Sequence, residues 1–170
     1  MNFLKDYNKT VVKYDLINKF NYKTLKTIPK FESITLTFKM RRYSIKNLIS
    51  YLSAIKIISS QTPTINSSKV SNISFKIRKG QPIGCKVTLK KKKLLKFLFL
   101  IINKIPSKKI KFDYNFFALS FKIQNILIFD NLEKNYQFFK NLSHLNINVT
   151  IKNVSNKEVF FFLKSHKLIT

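Results

Sequence analysis

The stretch FESITLTFK, residues 31–39, alternates without a break: Ile34, Leu36 and Phe38 fall on one side, and Ser33, Thr35, Thr37 and Lys39 on the other. LNINVTIK, residues 145–152, does the same, with Leu145, Ile147, Val149 and Ile151 on the apolar side. A period of two marks a strand buried on one face only. Two such strands, so far apart in the chain, call for a sheet with one greasy face, which helices must cover.

Helical spacing supplies the cover. It predicts a helix over 4–20 with Leu4, Tyr7, Val11, Tyr14, Ile17 and Phe20 on one side. Ser44 is a candidate N-cap for a second helix, whose stripe is Ile45, Leu48, Ile49, Leu52, Ile55 and Ile58. A third helix covers about 92–104, and Pro106 ends it. Residues 59–74 read as a polar loop with a short strand near Thr64 and Ile65, followed by a hairpin segment over 73–89. The stretch 107–115 reads as a lysine-rich connection. Alternation returns at Phe117, Leu119, Phe121 and Ile123, and Ile126–Phe129 reads as its continuation. A short helix is expected around 133–143, and a last one from Asn156 with Val159, Phe160 and Leu163. Strands and helices mix without a strict βαβ rhythm. The expectation is an α+β fold in two layers: a mainly antiparallel sheet, helices on one face, and a basic hairpin or loop. A length of 170 residues suits one domain, with the N-terminal helix 4–20 and a body over 31–168.

The two sheet faces differ in chemistry. The inward set is Ile34, Leu36, Phe38, Phe75, Ile77, Cys85, Val87, Leu89, Ile147 and Val149. The outward set is Thr35, Thr37, Lys39, Lys76, Arg78, Lys86, Thr88, Lys90, Asn146, Asn148, Thr150 and Lys152, all able to donate hydrogen bonds to phosphate or ribose. Such a face is either an RNA platform or an ordinary solvated surface. The charge favours the first: 33 Lys and Arg stand against 7 Asp and Glu, for a net charge of +26 and an isoelectric point near 10.3. A body that basic repels itself and attracts polyanions. A basic loop at Met40–Tyr43, holding Arg41 and Arg42, adds to it. The run Lys90–Lys93 opens a helix, where it fits a bound phosphate or plain solvation equally well.

Little points to catalysis. His144 and His166 are far apart in sequence and read as surface or cap residues. Asp130 and Glu133 are a carboxylate pair, but a metal nuclease needs more acids; Glu133 suits a helix start. Cys85 alternates with Ile83 and Val87 as a small core residue. A single cysteine excludes an internal disulfide and any cysteine-based metal site. No phosphate-cradling loop fits, so no cofactor, metal or small-molecule substrate is expected. The apolar run 97–102 is too short to span a bilayer. The first twenty residues carry Asp6 and Asp15 and no apolar core region, so no signal peptide is expected.

The chain has only two glycines, and both lie in FKIRKGQPIGCKVTL, residues 75–89, flanking Pro82. Gly80 suits a turn that needs positive φ, Pro82 fixes the next φ, and Gly84 suits a close backbone approach within a strand. This stretch resembles the signature of the universal large-subunit ribosomal protein five family, the bacterial and organellar type that binds 5S rRNA. LKDYNKTVVKYDLINKFNYKTLKTIPKFESITL is similar to that family's opening helix and first strand, SSQTPTINSSKVSNISFKIRKG to its mobile loop, and LNINVTIK to its ending. The likeness runs from about Leu4 to Leu168.

The resemblance implies a structural protein of the large subunit's central protuberance. It implies 5S rRNA, where present, on the sheet side, contact with P-site tRNA through the loop, and a bridge to the small-subunit head. By position the resemblance implies that Thr35–Arg42 approaches rRNA, with Thr35, Thr37, Lys39, Arg41 and Arg42, and that Lys69–Gly80 approaches tRNA, with Lys69, Ser71, Asn72, Lys76, Arg78, Lys79 and Gly80; the outward face adds Lys76, Arg78, Lys86 and Lys90 as expected RNA contacts. There are departures. Ser67, Ser68 and Val70 make the loop less basic, and Asn72 and Ser74 replace small residues. KKIKFDYN stands where the family has a longer Gly- and Arg-rich loop that serves the small-subunit bridge, and Lys39, Arg41 and Arg42 stand where it has glycines. Lys, Asn, Ile and Phe dominate, and only Arg41, Arg42 and Arg78 are arginine. That bias fits AT-rich codons. Together with a start at the family's own first helix, it implies a mitochondrial, organelle-encoded ribosomal protein; another organelle or an AT-rich microbe is the alternative. A free RNA- or DNA-binding regulator is the competing function.

Overall fold

The structure is a computed structural model that describes residues 3–22, 24–40, 43–105, 113–115, 118–153, 155–166 and 168. The fold is α+β. Its described strands are β1 (Lys30–Lys39), β2 (Thr64–Ser67), β3 (Pro82–Leu89), β4 (Asp113–Asn115), β5 (Ala118–Ile123) and β6 (Leu145–Lys152), in the sheet order β2-β3-β1-β6-β5-β4. The pairs β2–β3 and β4–β5 are antiparallel. The two strands expected from alternation lie side by side at the centre. Contacts gather into two compact units: residues 1–34, 89–121 and 148–170 in one, and 35–88 and 122–147 in the other.

In the first unit the N-terminal helix runs as α1 (Phe3–Tyr7), a π turn (Asn8–Val12) and α2 (Lys13–Lys19). Leu4, Val12 and Leu16 are buried, whereas Val11 and Tyr14, expected inward, are exposed. The π turn explains the change. The Lys13 N–H donates to the Asn8 carbonyl, five residues back. This wider turn offsets the drift that a spacing of four accumulates on a 3.6-residue helix, so positions 4, 12 and 16 stay on one face. The helix α4 (Lys91–Lys104) buries Leu94, Phe97, Leu98 and Ile101 and contacts α1. The last helix, α7 (Asn156–Ser165), contacts α2 and opens with a capping box between Ser155 and Glu158. It buries Val159, Phe162 and Leu163; Phe160, expected in the core, is exposed. His166, read as a surface or cap residue, is the C-cap of α7 and is buried. Its Nδ1 donates to the Phe162 carbonyl (2.7 Å) and its Nε2 faces the side-chain amide of Asn8.

In the second unit Leu36 and Phe38 of β1 are fully buried, as are Cys85, Leu145 and Ile147. Burying each large side chain stabilises by about 1.5–3 kcal/mol. The helix α3 (Ile45–Ser59) buries Leu48, Tyr51, Ala54, Ile55 and Ser59 and leaves Ile45 and Ile49 exposed. The Tyr51 ring, stacked on Phe38 with centroids 5.0 Å apart, turns the stripe by about one position from the aliphatic reading. Ser44 holds the N-cap position, but its side chain makes no capping bond. Two further expectations change. Residues 126–128 form a 3₁₀ turn instead of extending β5, because the Asn125 side chain accepts from the Leu127 N–H (3.1 Å). The helix expected at 133–143 is two short ones, α5 (Asp130–Glu133) and α6 (Tyr136–Phe139), which bury Leu132 and Phe139 and contact α3. In the stretch read as a connection, Asp113–Asn115 is strand β4, in the first unit.

Candidate nucleic-acid interface

The candidate surface of the second unit starts from Gly84. A Cβ on this residue would sit 2.1 Å from the Phe38 carbonyl oxygen, so only glycine lets β3 approach β1 this closely. The Met40 N–H donates to the Ile83 carbonyl (2.9 Å), and the Ser143 hydroxyl to the Lys39 carbonyl (3.2 Å), fixing the end of β1. On these strands Thr35 and Thr37 are half-buried, while Lys39, Lys86 and Thr88 are exposed. Thr64 pairs with Lys86 across β2–β3, its hydroxyl donating to the Lys86 carbonyl (3.2 Å). The only acids in the second unit's sequence are Asp130 and Glu133, both on α5. The face therefore carries cations and hydroxyls with no carboxylate of its own, a surface that takes phosphate and ribose.

Residues 68–81 connect β2 to β3 as a closed loop. At its neck the Ser68 N–H donates to the Gln81 carbonyl and the Gly80 N–H to the Ser68 carbonyl, each at 2.9 Å. Gly80 has φ +83, the left-handed turn expected of it. Nearer the tip Asn72 and Ile77 exchange backbone bonds at 2.8 and 2.9 Å. Residues 73–76 form a turn closed by the Lys76 N–H on the Ile73 carbonyl, with Lys76 at φ 52. This overturns one expectation. Phe75 does not point into the core and is 71% exposed, and Ile77 is only half-buried. The strand begins at Pro82, so the alternation of 75–79 belongs to a loop. Lys76 and Arg78 accordingly leave the sheet face and join Lys69, Ser71, Asn72 and Lys79 as exposed loop residues. The tip also presents Val70 and Ile73, apolar side chains that sequence reasoning gave no role; their only signal was their place between turn residues.

The remaining site residues fall elsewhere. Arg41 and Arg42 lie outside the described residues, as do 107–112 of the lysine-rich connection and Phe117. Lys90 is the exposed N-cap residue of α4, in the first unit. Lys152 of the outward set pairs with Glu32 at 2.6 Å, a surface contact worth about 0–1 kcal/mol. Burial pushes the Cys85 thiol up to about 12, so it stays protonated at neutral pH. No cluster of three metal-ligating side chains occurs among the described residues, and no described helix is long and apolar enough to cross a membrane.

No family model matches the chain. It is 34% identical over 177 residues to the large ribosomal subunit protein uL5 of Blochmanniella floridana, covering 96% of this chain and 90% of that one. With uL5 of Wigglesworthia glossinidia brevipalpis it shares 37% over 165 residues, 91% of each chain. The chain belongs to the uL5 family. Similarity extends to uL5m of Reclinomonas americana, 28% identical over 99% of this chain and 97% of that one. The expected family is thus the observed one. The uL5 likeness covers both strands and the loop from which the candidate surface is built.

Proposed function

We propose that this member of the uL5 family binds rRNA through Thr35, Thr37, Lys39, Lys86 and Thr88 of the second unit. Membership of the family makes the chain a structural constituent of the large ribosomal subunit. The observation that carries the RNA reading is the acid-free face beside a net charge of +26. Within the subunit the chain is proposed to lie in the central protuberance, against 5S rRNA where the ribosome has one. The 68–81 loop is proposed to reach P-site tRNA. Its exposed Phe75 offers a flat ring for base stacking, and Lys69, Lys76, Arg78 and Lys79 offer charge for phosphate. Bridging to the small-subunit head is proposed for the region around 108–115. A mitochondrial ribosome is the proposed location; the bias toward Lys, Asn, Ile and Phe and the full-length likeness to uL5m support it.

The test is RNA binding by the full chain across a salt series. Lys39→Ala and Lys86→Ala should each lower the slope of log K against log salt by about 1 for each phosphate left unneutralised. Unchanged slopes in both would refute the assignment of this face. A free nucleic-acid regulator would bind with similar salt dependence, yet sediment apart from large subunits.

A further inference from the structure

The first unit carries a groove of about 550 Å³ that the RNA reading does not use. Val12, Leu16, Ile28 and Leu94 form its floor, each no more than 4% exposed, and Leu25, 63% exposed, stands at its mouth. Lys9, Lys13, Lys26, Lys30 and Lys91 also line it, and no carboxylate does among the described residues. We propose that this groove receives an acidic amphipathic helix from a neighbouring protein, its apolar stripe on the aliphatic floor and its carboxylates on the lysine rim.

The occupant follows from the chemistry. Helix-in-groove recognition needs an apolar trough and a rim of complementary charge, and both are present. RNA fits the rim but not the floor. Aliphatic side chains give a base no flat ring to stack on. The two rings that line the groove, Phe31 and Phe162, already pack on each other, with centroids 4.7 Å apart, and on His166. A second copy of this chain cannot supply the segment. Its 7 acids are scattered, and the nearest two are Asp130 and Glu133.

The groove is also pre-formed. The Asn153 side chain donates to the Lys26 carbonyl (2.7 Å), pinning the short 3₁₀ turn Leu25–Thr27 that carries Leu25. The π turn lies along the groove and sets Lys9 and Lys13 beside Val12 and Leu16; such turns recur at functional sites. Lys91, on the groove's lining, holds φ 52, a backbone conformation that non-glycine residues seldom adopt.

Two synthetic peptides of one Leu, Glu and Ala composition and equal charge test this against the full chain by fluorescence anisotropy. In one, leucines recur at helical spacing; in the other they are scattered. The patterned peptide should bind about tenfold tighter, a difference of about 1.4 kcal/mol. Leu25→Glu and Lys26→Glu should each remove most of that advantage, while Lys134→Glu, an exposed position that does not line the groove, should leave it intact. Equal binding of the two peptides, or no effect of either groove variant, overturns the proposal. In assembled large subunits, a photo-reactive residue replacing Leu25 should crosslink to an acidic protein segment. A crosslink to RNA, or none, also overturns it. Either failure leaves the rRNA reading standing, because Lys39 and Lys86 do not line the groove.

Discussion

Gly84 and Phe38 are locked together: the Phe38 carbonyl oxygen occupies the space that any Cβ on residue 84 would need, at 2.1 Å. That oxygen is backbone, inside the central strand β1, and has nowhere to go. Gly84→Ala should therefore force β3 off β1 and cost about 1–3 kcal/mol, or more if the strands separate. Gly80 is different. A Cβ there meets nothing within 4 Å, and only its φ of +83 resists substitution. Gly80→Ala should cost about 1–2 kcal/mol and leave the sheet intact. Urea unfolding of both variants, with circular dichroism of the folded state, checks the difference.

Phe75 provides a second check on the loop. At 71% exposure it contributes little burial, so Phe75→Ser should change stability by no more than about 0.5 kcal/mol. A core phenylalanine would cost about 3–5 kcal/mol on truncation to alanine, and a loss of that size would restore the strand reading of 75–79. Denaturant midpoints at a fixed m-value decide between them.

His166 should make stability depend on mild acid. Burial is the main cause that lowers it to about 4, against an ordinary value of 6.5; the bond to the Phe162 carbonyl opposes this. The unfolded chain then binds a proton that the folded chain refuses. Stability is full above about pH 6.5 and falls as pH drops toward 4, with a loss on the order of 1–3 kcal/mol. His166→Gln should flatten this slope in thermal melts between pH 7 and about 4.5. An unchanged slope would place the acid sensitivity elsewhere.

The chain should unfold in one step. β1 and β6 each contribute residues to both compact units, so unfolding of either unit takes paired residues from strands that the other also uses. Calorimetry should give one transition, with calorimetric and van't Hoff enthalpies in agreement. Two resolved transitions would mean two independent domains.

The legible parts of this chain are those where a single interaction sets the pattern. β1, β6 and the β3 residues from Cys85 alternate because one face is buried and the other wet, and period two survives every neighbour. The two glycines of a glycine-poor chain marked a turn and a close approach, and the structure has both. The misread parts are those where a tertiary or local contact competes with pattern. A π turn moved the buried stripe of the first helix from Val11 and Tyr14 to Val12 and Leu16. Tyr51, polar by its hydroxyl but stacked on Phe38, displaced Ile45 and Ile49 from the inner face of α3. In the loop, Phe75 and Ile77 keep the strand's parity by continuity with β3, yet Phe75 sits in the turn at 73–76 and Ile77 bridges to Asn72 within the loop instead of lying on the sheet. The candidate site was legible as charge and hydroxyls on β1 and β3. Its loop half was legible only as basic residues, because exposure of an aromatic has no signature in sequence.

The central claim, that the polar face of β1 and β3 lies on rRNA, is tested most directly by a photo-reactive residue in place of Lys86 in intact large subunits, with the adduct sequenced. The account predicts a crosslink to large-subunit rRNA, 5S where the particle carries one. An adduct to protein alone, or none because Lys86 faces open solvent, would contradict it.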